Sequence, residues 1–238
     1  GRSFPVSYWA VPENFQEAKR LFPQIIQNLN FLEKQSGPYP FQADKLDFLY
    51  SPHMGMEHQT VVAYNPKILQ EVFGQGANII HRHHMTLFHE LAHQWWGNLV
   101  SASDWRDIWL QESIAVYMEP LYMEHLYGKQ AYHEYIHRRS RGAITDSSIV
   151  ASVESTVAAA FTFKDPPIHL AKGNMMLHSL RYLLGDDVFF KFLRYVNYPN
   201  RDANDIQKMS QGRSISSAEF AALASEVSER DLDWFFDL

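Results

Sequence analysis

The sequence predicts a mainly helical α+β fold with a small β-containing lobe. Strand-like alternation is confined to two short runs, residues 45–50 and 60–64. Helical spacing of apolar residues recurs in separate segments from residue 13 to the end of the chain. The 238 residues are 46% apolar and 20% charged, enough to build one large domain or two small lobes around a cleft.

The elements follow in order. Phe15, Ala18, Leu21, Phe22, Ile25, Ile26, Leu29 and Leu32 place one apolar stripe on a helix over 13–35. Pro23 lacks an N–H and is expected to kink or split that helix. Ser36-Gly37-Pro38-Tyr39-Pro40 ends it. The two strand candidates come next. Asn78 is placed to cap a helix running through 81–96, and Gly97-Asn98 to end it. Further helices are expected from about Asp107 to Tyr127 and over 129–139. Others are expected from Ala171 to Leu184, Val188 to Val196, Ser216 to Val227, and at 231–236. The run from Ile144 to Thr162 carries no readable period. Trp95, Trp96, Trp105 and Trp109 are expected to pack around the central helices. The β-containing lobe is set at 1–80 and the helical lobe at 81–238 of one domain.

The chemistry concentrates between residues 89 and 112. His89-Glu90-Leu91-Ala92-His93 puts two imidazoles four residues apart, roughly 40° apart around a helix and about one turn along it. Both can reach one ion, while Glu90 projects elsewhere and is free to act on a water. H-E-x-x-H is the zinc-hydrolase pattern. A zinc site that does chemistry takes three protein ligands and keeps a fourth position open. Glu112, with eighteen residues between it and His93, is the candidate third ligand. Glu119 lies two turns further along the same helix face. It is either a carboxylate that backs a ligand histidine or a surface side chain. The histidines at 81, 83 and 84 suggest a second metal site, but His84 faces away from His89 on a helix, and a solvated first turn is the default.

Composition narrows the classes. The formal net charge is −6 with no lysine or arginine run, which argues against a nucleic-acid partner. There are no cysteines, so disulfides and Cys-rich structural zinc sites are excluded and a zinc here is expected to be catalytic. No apolar run approaches the ~18 residues of a membrane span and no signal peptide opens the chain, so this piece is expected to be soluble, its compartment undetermined.

The stretch His93-Gln94-Trp95-Trp96-Gly97-Asn98-Leu99-Val100, with Trp109-Leu110-Gln111-Glu112, resembles the gluzincin aminopeptidases, the family of membrane alanyl aminopeptidase and leukotriene hydrolase. The resemblance implies a thermolysin-like zinc metallopeptidase catalytic domain holding one Zn²⁺ on His89, His93 and Glu112, with Glu90 as the catalytic base. Gly55-Met56-Glu57-His58 resembles the family's Gly-x-Met-Glu-Asn exopeptidase motif, with His58 in place of asparagine. In that reading a glycine-opened edge accepts a peptide backbone and Glu57 pairs with the free α-ammonium. The implied substrates are peptides with a free N-terminus. Family members carry further β and helical domains, so the chain reads as an excised or unusually short catalytic domain. Leu170 stands where the family has a tyrosine that donates to the oxyanion, and losing such a donor costs ~10²–10³ in turnover. Either another group (His169 is adjacent) supplies the donor, or the protein is a slow or inactive zinc-retaining relative. An endopeptidase or epoxide hydrolase on the same scaffold ranks lower.

Overall fold

The computed structural model describes residues 3–52, 55–65, 84–140, 148–150, 168–199 and 210–237. The fold is mainly helical α+β and divides into two compact units, Gly1–Leu99 with Asp202–Gln211, and Val100–Arg201 with Gly212–Leu238. Asn78, the segment 81–83 and nearly all of the run from Ile144 to Thr162 lie outside the described residues.

In the first unit, strand β1 (Val6–Trp9) is followed by helix α1 (Phe15–Ser36), strands β2 (Leu46–Tyr50), β3 (Gly55–Met56) and β4 (Val61–Tyr64), and helix α2 (Met85–Ala92). The sheet runs β1-β2-β4-β3. The first three strands are parallel, with Val6 opposite Leu46 and Asp47 opposite Val61. The antiparallel β3 closes one edge, Gly55 opposite Tyr64 and Met56 opposite Ala63. Helix α1 buries Ala18, Leu21, Ile25, Leu29 and Leu32 of the predicted stripe, whereas Phe22 and Ile26 are half-buried and Phe15, in the first turn, is exposed. It runs through Pro23 without a break. Pro23 sits on the exposed face together with Lys19, whose carbonyl a residue-23 N–H would normally meet, so water can take that role. Trp95 is fully buried and donates from Nε1 to the Gly37 carbonyl at 3.0 Å, which ties the end of α1 to the turn after α2.

In the second unit, β5 (Val100–Ala102) pairs in parallel with β6 (Arg213–Ile215). The helices are α3 (Trp109–Tyr127), α4 (Lys129–Arg139), α5 (Ile168–Leu184), α6 (Asp186–Asn197), α7 (Ser217–Ser228) and the short α8 (Asp233–Phe236). Helix α3 is apolar on nearly all sides, burying thirteen of its nineteen residues against neighbours that include α4 and α5. Where α3 meets α5 the Ser113 side chain fills the space beside Gly173, leaving no room for a second one. A Cβ at Gly173 would lie 2.0 Å from Ser113 Oγ and 2.4 Å from Ser113 Cβ. Tyr117 and Tyr132 share a hydrogen bond of 2.7 Å, and Tyr132 continues it to His178 Nδ1 at 2.7 Å. Helix α7 starts on a reciprocal cap, with Ser216 and Glu219 each bonding the other's backbone N–H.

Trp95, Trp96 and Trp109 are buried as expected, whereas Trp105 is 49% exposed, in a single 3-10 turn (Trp105–Asp107). Among the described residues no helix is long and apolar enough to cross a membrane.

Candidate metal centre

Helix α2 ends at Ala92, earlier than the expected 96, and His93 is its C-cap. The His93 N–H still bonds the His89 carbonyl at 3.2 Å, so the two histidines keep helical spacing. Past His93 the chain turns tightly. Gly97 takes φ +134°, and the Asn98 N–H returns to the His93 carbonyl at 3.0 Å. Within this turn His93 Nδ1 lies 2.8 Å from the Trp96 carbonyl. A carbonyl only accepts, so Nδ1 carries the proton, and in the neutral ring the lone pair is then on Nε2. That Nε2 is 3.0 Å from His89 Nε2, with the ring planes at 88°.

His89, His93 and Glu112 each offer one ligand atom, all within 4.8 Å of one another. Ligands at the usual zinc distances, near 2.0–2.1 Å in a tetrahedron, stand about 3.3 Å apart. The histidine pair already has that spacing. Two imidazoles with at least one lone pair turned to its neighbour and a carboxylate close by form a donor set that fits a divalent cation. It is the one such group found among the described residues.

Glu90 is buried, at 8% exposure, beside the first histidine. The edge strand β3 passes so close that a Cβ on Gly55 would fall 2.2 Å from Glu90 Oε1. A side chain at 55 would therefore displace the Glu90 carboxylate, a constraint that spacing alone does not reveal. Met56 is 39% exposed on the same edge strand. Glu57 and His58 follow it, with their carbonyls accepting from the side chains of Asn98 and Gln94.

Glu119 is 2% exposed, and its Oε2 accepts from the Tyr135 hydroxyl at 2.5 Å and from Arg139 Nη2 at 2.5 Å. That carboxylate holds the Arg139 guanidinium well above its ordinary range, while burial, aided by Glu119, raises the Tyr135 phenol. The orienting partner of His93 is the Trp96 carbonyl, a main-chain group that no sequence motif announces. Leu170 lies on α5 at half-burial, and of the described histidines His84 bonds Tyr64 through Nδ1 at 2.8 Å.

The profile of the Peptidase family M1 domain matches residues 22–237. The chain belongs to that family. Aminopeptidase 2 of Candida albicans is 30% identical over 223 residues, covering 89% of this chain and 23% of that protein. Endoplasmic reticulum aminopeptidase 2 of Homo sapiens is 27% identical over 215 residues, covering 84% of this chain and 22% of its own length. This M1 chain thus spans less than a quarter of those curated relatives. Among solved structures it is similar to native leukotriene A4 hydrolase from Saccharomyces cerevisiae, at TM-score 0.72 and 21% identity over 97% of this chain and 36% of that one. It is also similar to an M1 zinc metallopeptidase from Deinococcus radiodurans, at TM-score 0.62 and 23% identity over 95% and 44% of the two chains. These likenesses place the M1 fold over nearly the whole chain.

Proposed function

We propose that residues 1–238 form one catalytic domain of a zinc-dependent aminopeptidase that releases N-terminal residues from peptides. The observation that carries the reading is the convergence of His89, His93 and Glu112 beside a buried Glu90. Membership of the M1 family supports it, as do relatives named as aminopeptidases. In this reading the two imidazoles and Glu112 hold one Zn²⁺. When bound, the ion lowers the pKa of water and polarises the scissile carbonyl. Glu90 takes a proton from the attacking water and hands it to the leaving amine. The edge strand at Gly55 and Met56 lets a peptide lie alongside. Glu57 pairs with the substrate's α-ammonium and restricts cleavage to the N-terminal bond. His58 borders that contact, and no part of the reading calls for nucleic acid.

Two measurements test it. The purified protein is expected to contain zinc, and to hydrolyse free-amino aminoacyl anilides but not N-blocked ones. Glu90→Gln is expected to abolish that turnover with zinc retained. Equal cutting of blocked internal peptides would remove the exopeptidase role from Glu57.

Leu170 favours a second reading, a zinc-retaining relative of low activity that binds peptide termini. An oxyanion donor is worth ~10²–10³ in turnover, so Leu170→Tyr is expected to raise kcat by up to that factor. A fast wild-type enzyme that gains nothing from the tyrosine would reject this second reading.

A further inference from the structure

The segment carrying Glu57 is fastened to the turn after His93 by three side-chain hydrogen bonds, all to main chain. Gln94 Oε1 accepts from the Thr60 N–H at 3.0 Å, and Gln94 Nε2 donates to the His58 carbonyl at 3.1 Å. Asn98 Nδ2 donates to the Glu57 carbonyl at 2.7 Å. The Thr60 N–H can only donate, which fixes the amide orientation of Gln94. Gln94 is 0% exposed, so water does not replace either of its bonds.

The chain at this point is strained. Thr60 has φ +61°, a left-handed conformation that β-branched residues rarely adopt. Such a residue persists where its surroundings over-determine it, and such residues gather at functional sites. Here Gln94 holds the Thr60 N–H, while the Thr60 carbonyl accepts from the Asp47 N–H at 2.8 Å. The Val61 N–H closes the turn onto the His58 carbonyl at 3.2 Å.

We propose that Gln94 and Asn98 are positioning residues that clamp the main chain of residues 57–60 to the turn holding His93, fixing Glu57 for the substrate's ammonium group. The inference deepens the aminopeptidase reading and rests on it for the role of Glu57. All three bonds reach backbone atoms, so the side chain at position 58 is released from the clamp. A histidine there in place of asparagine leaves the clamp intact.

Gln94→Met preserves volume and removes two bonds, and Asn98→Ala removes the third at a half-buried position. Each variant is expected to lower kcat/KM for a free-amino aminoacyl anilide about 10-fold, through KM, with kcat within about twofold and zinc content unchanged. A purely structural role would instead lower the active fraction and leave KM alone. Amide hydrogen exchange gives a readout independent of turnover and of zinc. In the wild-type protein Thr60 is expected to exchange as slowly as Leu29 and Leu32 in α1. In Gln94→Met it is expected to exchange at least ~10-fold faster with those two unchanged.

Unchanged KM in both folded variants overturns the proposal, as does a wild-type Thr60 amide exchanging at the rate of an exposed loop. If Gln94→Met fails to fold, Asn98→Ala and the wild-type exchange rate decide. Should the wild-type enzyme cut blocked and free-amino substrates alike, the aminopeptidase reading falls. The exchange rate of Thr60 then still accepts or rejects the clamp on its own.

Discussion

Adding one methyl group at Gly55 separates catalytic damage from loss of stability. A Cβ built there lies 2.2 Å from Glu90 Oε1, 2.7 Å from Cδ and 2.8 Å from Cγ. A relaxed carbon–oxygen contact is about 3.2 Å, so in Gly55→Ala the Glu90 carboxylate must retreat by about 1 Å. Glu90 is 8% exposed, so it has little free space to retreat into. Misplacing a reacting group by about 1 Å costs on the order of 10²-fold in rate. The backbone cost is small, because Gly55 is an extended strand residue and alanine there restricts the unfolded chain, an effect of about 0.4–1 kcal/mol in favour of folding. The expected result is kcat lowered about 100-fold, with KM and zinc content near those of the wild type and stability lowered by no more than the ~1–3 kcal/mol of overpacking. Kinetics on a free-amino anilide, metal analysis and calorimetry read these separately. A Gly55→Ala enzyme with wild-type kcat would refute the steric argument. An enzyme that loses kcat only in step with its folded fraction would refute the assignment of the effect to Glu90.

Further outcomes follow from other contacts. Gly173→Ala forces a carbon to within 2.0 Å of Ser113 Oγ, and is expected to destabilise the protein by about 1–3 kcal/mol, read as a drop in denaturation midpoint. Glu119→Gln breaks a charge pair in which the acid is buried at 2% and Arg139 is 37% exposed. Its expected cost is about 2 kcal/mol, less than for a fully buried pair. Zinc titration of the same variant tests whether Glu119 also backs a ligand histidine, in which case affinity falls about 10- to 100-fold. His178 is held below its ordinary value of 6.5, first by burial and then by His133 and Arg181. The unfolded state therefore takes up this proton first, so the contribution is complete above pH 6.5 and is lost as pH falls through the lower folded value. His178→Asn is expected to flatten that limb of the stability profile, measured by denaturant titration at stepped pH.

The sequence was most readable where function and local geometry share one helix. His89 and His93 announce themselves because their spacing alone brings their nitrogens together, and α1 reads well because twenty-two residues carry one apolar stripe. The short strands were harder. Val6–Trp9, Val100–Ala102 and Arg213–Ile215 have three or four residues each, too few for alternation to stand out, and their pairing is set by neighbours distant in the chain. Gln94 was legible only as part of a resemblance and Asn98 only as that and as a helix end, since the backbone groups they hold lie 34 to 41 residues away. Trp105 was expected in the core with the other tryptophans, but its turn projects it outward, and composition carries no information about that direction. Pro23 misled in the opposite sense, because a helix tolerates a proline whose unmatched carbonyl faces water.

The bare contact between Ser113 and Gly173 has a consequence for position 170. The Ser113 side chain lies directly against the Gly173 backbone, so any side chain at 173 would push α5 away from α3. Leu170 stands three residues before that contact, about one helical turn away, so the close approach that Gly173 allows also brings position 170 near α3. Putting an aromatic hydroxyl back at that spot changes the chemistry while leaving the scaffold where it was.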